Sequence, residues 1–273
     1  MIIDFHTHIF PDKIASATVE KLKSYLCDAG EECAAYTDGT LNSLRESMKK
    51  AGIDKSVILP VATNPKQFES INRFSAEVDK EDDIIAFGGI HPDNENPEEK
   101  LDFIKSLGLK GIKLHPDYQG TYINDEKYIR IIKYAEKIGL ITLIHAGYDV
   151  LSPDDIHCTP DRAIDMLRKT VNGKDNKIVL AHLGGHKGAE ESYKKLCGEN
   201  VWLDTSYVLN KIPCELLINM FEKHGFDKIL FATDTPWGEQ KSFVQTLEML
   251  DISEENKEKI FHKNAEHLFA LNL

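Results

Sequence analysis

Eight short β-rich runs recur along the chain, and helical patterns separate them. They are IIDFHTH (2–8), SVILPVA (56–62), IIAFGGI (84–90), GIKLHP (111–116), LITLIHA (140–146), KIVLAHLGG (177–185), NVWLDTS (200–206) and KILFATDTP (228–236). Near-continuous apolar strands alternating with amphipathic helices can bury both faces only in a parallel sheet covered by helices. The helices carry their own boundaries. Asn96-Pro97 opens one at N-cap and N1, Leu101, Ile104 and Leu107 line its face, and Gly108 ends it. Thr159-Pro160 opens another, with Ala163, Met166, Leu167 and Val171 at helical intervals, and Tyr128, Ile131, Ala135 and Ile138 before Gly139 mark a third. Eight such units most simply close into one (β/α)8 TIM barrel, a single α/β domain over residues 1–273. An open doubly wound sheet competes, but no G-x-G-x-x-G follows the first strand. The long link from Phe10 to Leu41 is expected to hold a helix over Lys13–Leu26 and a loop across the barrel mouth.

Charge and composition exclude several partners. A net charge of −12 argues against a general affinity for nucleic acid or anionic membrane. No apolar run approaches the ~18 residues of a membrane span, and the N-terminus lacks the pattern of a signal peptide. Cys27, Cys33, Cys158, Cys197 and Cys214 are odd in number and scattered, so they read as reduced thiols of a cytoplasmic protein. A homodimer is the default oligomer expectation.

The polar residues fall at strand ends, where barrels of this kind carry their chemistry. His6 and His8 share one face of the first strand with Asp4, because side chains alternate along a strand. His91 follows strand 3, His115 ends strand 4, His145 ends strand 5, His182 ends strand 6 and Asp234 ends strand 8. Any one of these is unremarkable as a buried histidine satisfied by a carbonyl. Gathered at one rim, imidazoles and a carboxylate are the donors that zinc and similar divalent ions prefer. Asp234 has a second reading, as N-cap of the helix after Thr233-Asp234-Thr235-Pro236.

The stretches DFHTHIFP, GIKLHP, LIHAGYD, LAHLGG, FATDTPWG and KIFHKNAEHLFAL, in that order, resemble the metal-dependent amidohydrolase superfamily. Within it they are similar to the branch that contains the aminocarboxymuconate-semialdehyde decarboxylase group. The resemblance implies one divalent metal per chain, most simply Zn2+, held by His6, His8, His145 and Asp234. It implies His182 as the histidine that contacts substrate, and Asp234 as the acid that takes a proton from metal-activated water. In some superfamily members a strand-4 lysine is carboxylated and bridges two metals, which would make Lys113 a bridge and His182 a ligand; this binuclear reading stands second.

Around that set, Lys113, His115, His91, Tyr148, His157 and Trp237 are candidates to contact substrate. His91 and His115 either touch substrate or cap loops that end in proline, and Trp237 either walls a pocket or packs a helix. His157 beside Cys158 would make a nucleophilic pair only if both pointed the same way, which neighbours rarely do. His186, His224, His262 and His267 lie away from the rim pattern and read as structural.

The expected activity is hydrolysis of a small-molecule amide, ester or lactone by metal-activated water. The alternative is non-oxidative decarboxylation of an aromatic or unsaturated acid, which needs a cationic grip on a carboxylate. No arginine directly follows a strand end, although Arg45 or Arg73 could reach in, and this tilts the sequence reading toward hydrolysis. A nuclease is disfavoured by the acidic balance and by Lys113 and His115, which stand where such enzymes carry a glutamate.

Overall fold

A computed structural model describes residues 1–270 apart from Asn172 and Lys174. Among the described residues nine strand segments make eight staves: β1 (Ile3–Thr7), β2 (Lys55–Ile58), β3 (Ile84–Ala86), β4 (Gly88–Gly89), β5 (Gly111–Leu114), β6 (Ile141–Ile144), β7 (Ile178–Leu180), β8 (Trp202–Asp204) and β9 (Ile229–Leu230). All pairings are parallel, in the orders β1-β2-β3 and β4-β5-β6-β7-β8-β9. The third run is one stave broken at Phe87, whose N–H still reaches Ile58 O at 2.9 Å. Phe87 turns into the barrel against Phe5, edge to face at 6.0 Å. The Asn72 side chain clamps the break, accepting from Gly89 N at 3.0 Å and donating to Gly89 O at 2.9 Å.

The barrel closes where the last stave meets the first. Phe5 N donates to Phe231 O at 2.9 Å, Asp234 N to His6 O at 2.8 Å and His8 N to Thr235 O at 2.7 Å. Asp4, fully buried, bolts the seam: it accepts from Thr233 N, Thr233 Oγ1 and Gln240 Nε2 at 3.0, 2.6 and 2.8 Å.

Helices α1 (Asp12–Asp28), α2 (Leu41–Ala51), α3 (Phe68–Val78), α4 (Pro97–Ser106), α5 (Glu126–Lys137), α6 (Pro160–Thr170), α7 (Ala189–Lys195), α8 (Cys214–His224) and α9 (Gln240–Met249) follow the staves. Thr159 caps α6 by accepting from Arg162 N at 3.3 Å. Asn96 stands at the expected N-cap of α4 in a left-handed conformation, φ 49°, without a side-chain cap bond. One core lies between sheet and helices. The other fills the barrel, where Ile3, Phe5, Val57, Phe87, Leu143 and Leu230 meet Leu268 of the terminal helix α11 (Asn264–Ala270), so this helix plugs the N-terminal end. The α10 helix (Glu254–Glu258) and a π turn (Lys259–Lys263) lead into it. Among the described residues no helix is long and apolar enough to cross a membrane.

The cysteine expectation is corrected in one place. Cys27 and Cys33 are joined in a disulfide, because the turn after α1 brings their Cα atoms to 4.9 Å. Cys158, Cys197 and Cys214 are free thiols.

Gly147, just past β6, has φ +93°, and a Cβ there would lie 2.1 Å from His186 N. Gly147→Ala should therefore destabilise the fold by about 2 kcal/mol or more, read by urea denaturation, since backbone must move to admit it.

Candidate metal centre

The apolar staves end in polar groups at one rim, around a cavity of about 850 Å³. His6, His8 and Asp234 converge there, as the seam between the first and last staves requires. His6 Nε2 and His8 Nε2 lie 3.2 Å apart, and Asp234 Oδ1 is 3.3 and 3.1 Å from them. The other ring nitrogens are engaged. His6 Nδ1 faces Asp204 Oδ2 at 2.9 Å, and His8 Nδ1 faces Leu59 O at 2.7 Å. Neither partner has a proton to give, so each Nδ1 donates and each neutral ring presents its Nε2 lone pair. Two lone pairs and a carboxylate oxygen thus face one another. Such a set fits a divalent cation, and the Asp204 and Leu59 contacts are the outer hydrogen bonds that fix metal-binding imidazoles. Lys113 Nζ, 3.1 Å from His6 Nε2, is the cation on the inner side.

Burial holds the His6, His145 and His182 imidazoles below the ordinary histidine range, so these rings are neutral at pH 7. Burial works to raise the Asp234 carboxyl, and positive charge placed among the His6, His8 and His182 imidazoles works to lower it. Burial pushes the Lys113 ammonium down to about 8. Asp234 itself sits at φ +68°, a left-handed conformation uncommon for a residue with a side chain, with Trp237 N donating to its carbonyl at 2.8 Å. The side chain is turned into the rim rather than onto the following helix.

The four-ligand set implied by the resemblance does not converge as one group. His145 belongs to a second cluster with His115 and Asp149. Its ring stacks on His115 with centroids 4.1 Å apart, and its Nδ1 meets His182 Nε2 at 3.0 Å. His182 Nδ1 lies 2.9 Å from Ser206 O, so the proton sits on Nδ1 and Nε2 is an acceptor. That tautomer removes the expected role of His182 as a neutral oxyanion donor. It also makes His145 Nδ1 the donor and leaves His145 Nε2 a bare acceptor. This atom is buried without a hydrogen-bond partner, 3.9 Å from Asp117 Oδ2, which is likewise unpartnered.

Lys113, His115, Tyr148 and Trp237 line the cavity, as the sequence suggested. His91 and His157 do not. His91 Nδ1 accepts from Asp93 N at 3.1 Å, closing its own turn. His157 Nδ1 bonds Asp117 Oδ1 at 3.0 Å, and its ring stacks on Tyr122. Cys158 is fully buried, and burial pushes its thiol far up, so it is no nucleophile. Arg45 pairs with Asp83 and Glu81, and Arg73 with Glu69, all on the outer surface, so neither reaches in.

His186 corrects the structural reading given to it. It lines the cavity, with Nδ1 donating to Tyr148 O at 3.0 Å and its ring on edge to Tyr207 at 4.9 Å. Asp149, Tyr118 and Tyr207 line the cavity too and were missed. Asp149 closes the stretch LIHAGYD that carries part of the resemblance; Tyr207 gave no signal beyond its nearness to the strand-7 run. Burial raises Asp149 to about 7.

A family model described as amidohydrolase matches residues 3–271. The chain belongs to the amidohydrolase family. Solved structures agree on its barrel. An uncharacterized TIM-barrel protein from Bordetella bronchiseptica superposes with a TM-score of 0.78 at 21% identity, covering 99% of both chains. A dihydroxybenzoic acid decarboxylase from Polaromonas, with bound manganese and the inhibitor 2-nitroresorcinol, gives 0.71 at 18% identity, covering 100% of this chain and 97% of that one. A putative 2-pyrone-4,6-dicarboxylic acid hydrolase from Pseudomonas putida gives 0.66 at 16% identity, covering 100% and 98%. No curated protein matches in sequence.

The facing lone pairs have a measurable consequence. Manganese added to chelator-stripped protein should raise Tm by about 5–10 °C at a hundredfold excess over Kd. His8→Ala should abolish the shift; an equal shift in that variant would place the cation elsewhere.

Proposed function

We propose that this amidohydrolase is a metal-dependent decarboxylase, which removes the carboxyl group of a small organic acid as carbon dioxide without redox chemistry. The observation that carries this reading is the juxtaposition of two cationic positions on the cavity floor. The His6–His8–Asp234 set is one, and the Lys113 ammonium, 3.1 Å from His6 Nε2, is the other. Together they supply the grip on a carboxylate that the sequence reading sought from arginine. The manganese-bound decarboxylase from Polaromonas supports it at the level of shared architecture.

In this reading His6, His8 and Asp234 would hold the divalent ion, and His145, which lies in the neighbouring cluster with His115 and Asp149, would join them only by turning its ring. The ion, when bound, polarises a substrate oxygen and stabilises the charge that builds there. Lys113 orients the carboxylate. The bond between the carboxyl carbon and its neighbour breaks, carbon dioxide leaves, and the electron pair stays on the substrate carbon. Asp149, buried at the cavity wall and half-protonated near pH 7, gives that carbon its proton and regains one from solvent. His182 Nε2 accepts from His145 Nδ1 and so holds the His145 ring. Hydrolysis of an ester, amide or lactone is the second reading, favoured by the architectural likeness to the Pseudomonas putida putative hydrolase.

Two experiments bear on these roles. Asp149→Asn should lower kcat by about 10²–10⁴. In the parent enzyme kcat should fall as pH rises through about 7, since the acid form is then lost; an alkaline limb that persisted in Asp149→Asn would remove Asp149 from the mechanism. His182→Asn should keep the metal and lower kcat, whereas His145→Ala should lose metal. Equal metal loss in both variants would make His182 a ligand, as in the binuclear reading.

A further inference from the structure

Helix α1 does not pack as a barrel helix. Only Ala15 and Val19 of its residues are buried. The stripe that includes Ile14, Leu22 and Leu26 looks into the cavity instead, and Ile14 remains 51% exposed. From Ile14 to Leu26 this stripe runs about 18 Å along the helix axis. Ile71 and Phe74 of α3 and Leu151 of the loop after β6 also line the cavity with apolar surface. The helix is fixed in this position at its far end: the Cys27–Cys33 disulfide closes the turn, Glu31 pairs with Lys187, and Glu32 pairs with Lys211 at 3.4 Å. The cavity is therefore divided, with imidazoles, carboxylates and Lys113 at the floor and a mainly hydrocarbon wall, which Thr18 and Lys21 of α1 also line.

We infer that the substrate is an acid carrying an elongated apolar substituent, whose polar end reaches the floor while its hydrocarbon lies along α1. A single-ring acid would leave most of the roughly 850 Å³ cavity as water against apolar side chains. An extended hydrocarbon would displace that water and bury the exposed stripe. This rests on the metal reading above for the position of the polar end only.

The test is calorimetric titration of manganese-loaded protein with straight-chain hydroxamic acids from acetohydroxamic to octanohydroxamic acid. The head group binds metal and the tail probes the wall. Affinity should rise about fourfold per methylene once the chain reaches α1. In Leu22→Glu the increment should fall below about twofold, while Met249→Glu, an exposed apolar position outside the cavity lining, should keep the parent slope. A length-independent series, or a slope unchanged in Leu22→Glu, overturns the inference. Repeating the series without manganese separates the two readings: a slope that survives with no dependence on metal supports the apolar wall and counts against the metal-held polar end.

Discussion

The site depends on the seam that closes the barrel. His6 and Asp234 are separated by most of the sequence, yet a backbone hydrogen bond from Asp234 N to His6 O joins their staves. The buried Asp4 carboxylate holds that register through Thr233 and Gln240. A register irregularity between Asp4 and Thr7 breaks the alternation of β1, so that Phe5 fills the barrel and the adjacent His6 still faces the rim with His8 and Asp234. Barrel closure and the clustering of ligand atoms are thus one geometric event.

Around that point the hydrogen-bonding directions are as informative as the distances. Asp204 and Leu59 O orient two imidazoles so that their lone pairs meet, and Ser206 orients His182 so that it accepts. Leu59 and Ser206 follow the staves beside the histidines they fix, whereas Asp204 reaches His6 from β8, across the last stave. A protein that places acceptors face to face in a buried setting gains from a cation there and is destabilised without one.

The barrel was legible in the sequence because each stave is a short apolar run whose chemistry needs no long-range information. The HxH pair was legible because its two histidines stand two residues apart, but parity misplaced Asp4, which turns to Thr233 and Gln240 across the register irregularity between Asp4 and Thr7 instead of facing the rim. The orientation of His145 was not: it depends on stacking against His115 and on the tautomer of His182, both set by other staves. His186 and Tyr207 reach the cavity from segments whose path is fixed only by packing, and His91 and His157 turn away because local partners, Asp93 N and Asp117, engage them. The Cys27–Cys33 bond was hidden by the odd cysteine count, which masks a local pair. Arg45 and Arg73 find carboxylates on their own surface, and the buried cation at the cavity floor is Lys113, whose place there no surface pattern announces.

The central claim is that the closing seam builds a divalent-cation site. Crystals grown with manganese, measured at the manganese absorption edge, test it directly. The account predicts one anomalous peak per chain within about 2.0–2.3 Å of His6 Nε2, His8 Nε2 and an Asp234 carboxylate oxygen. A peak only at His115 and Asp149, or no peak at this rim, would contradict it.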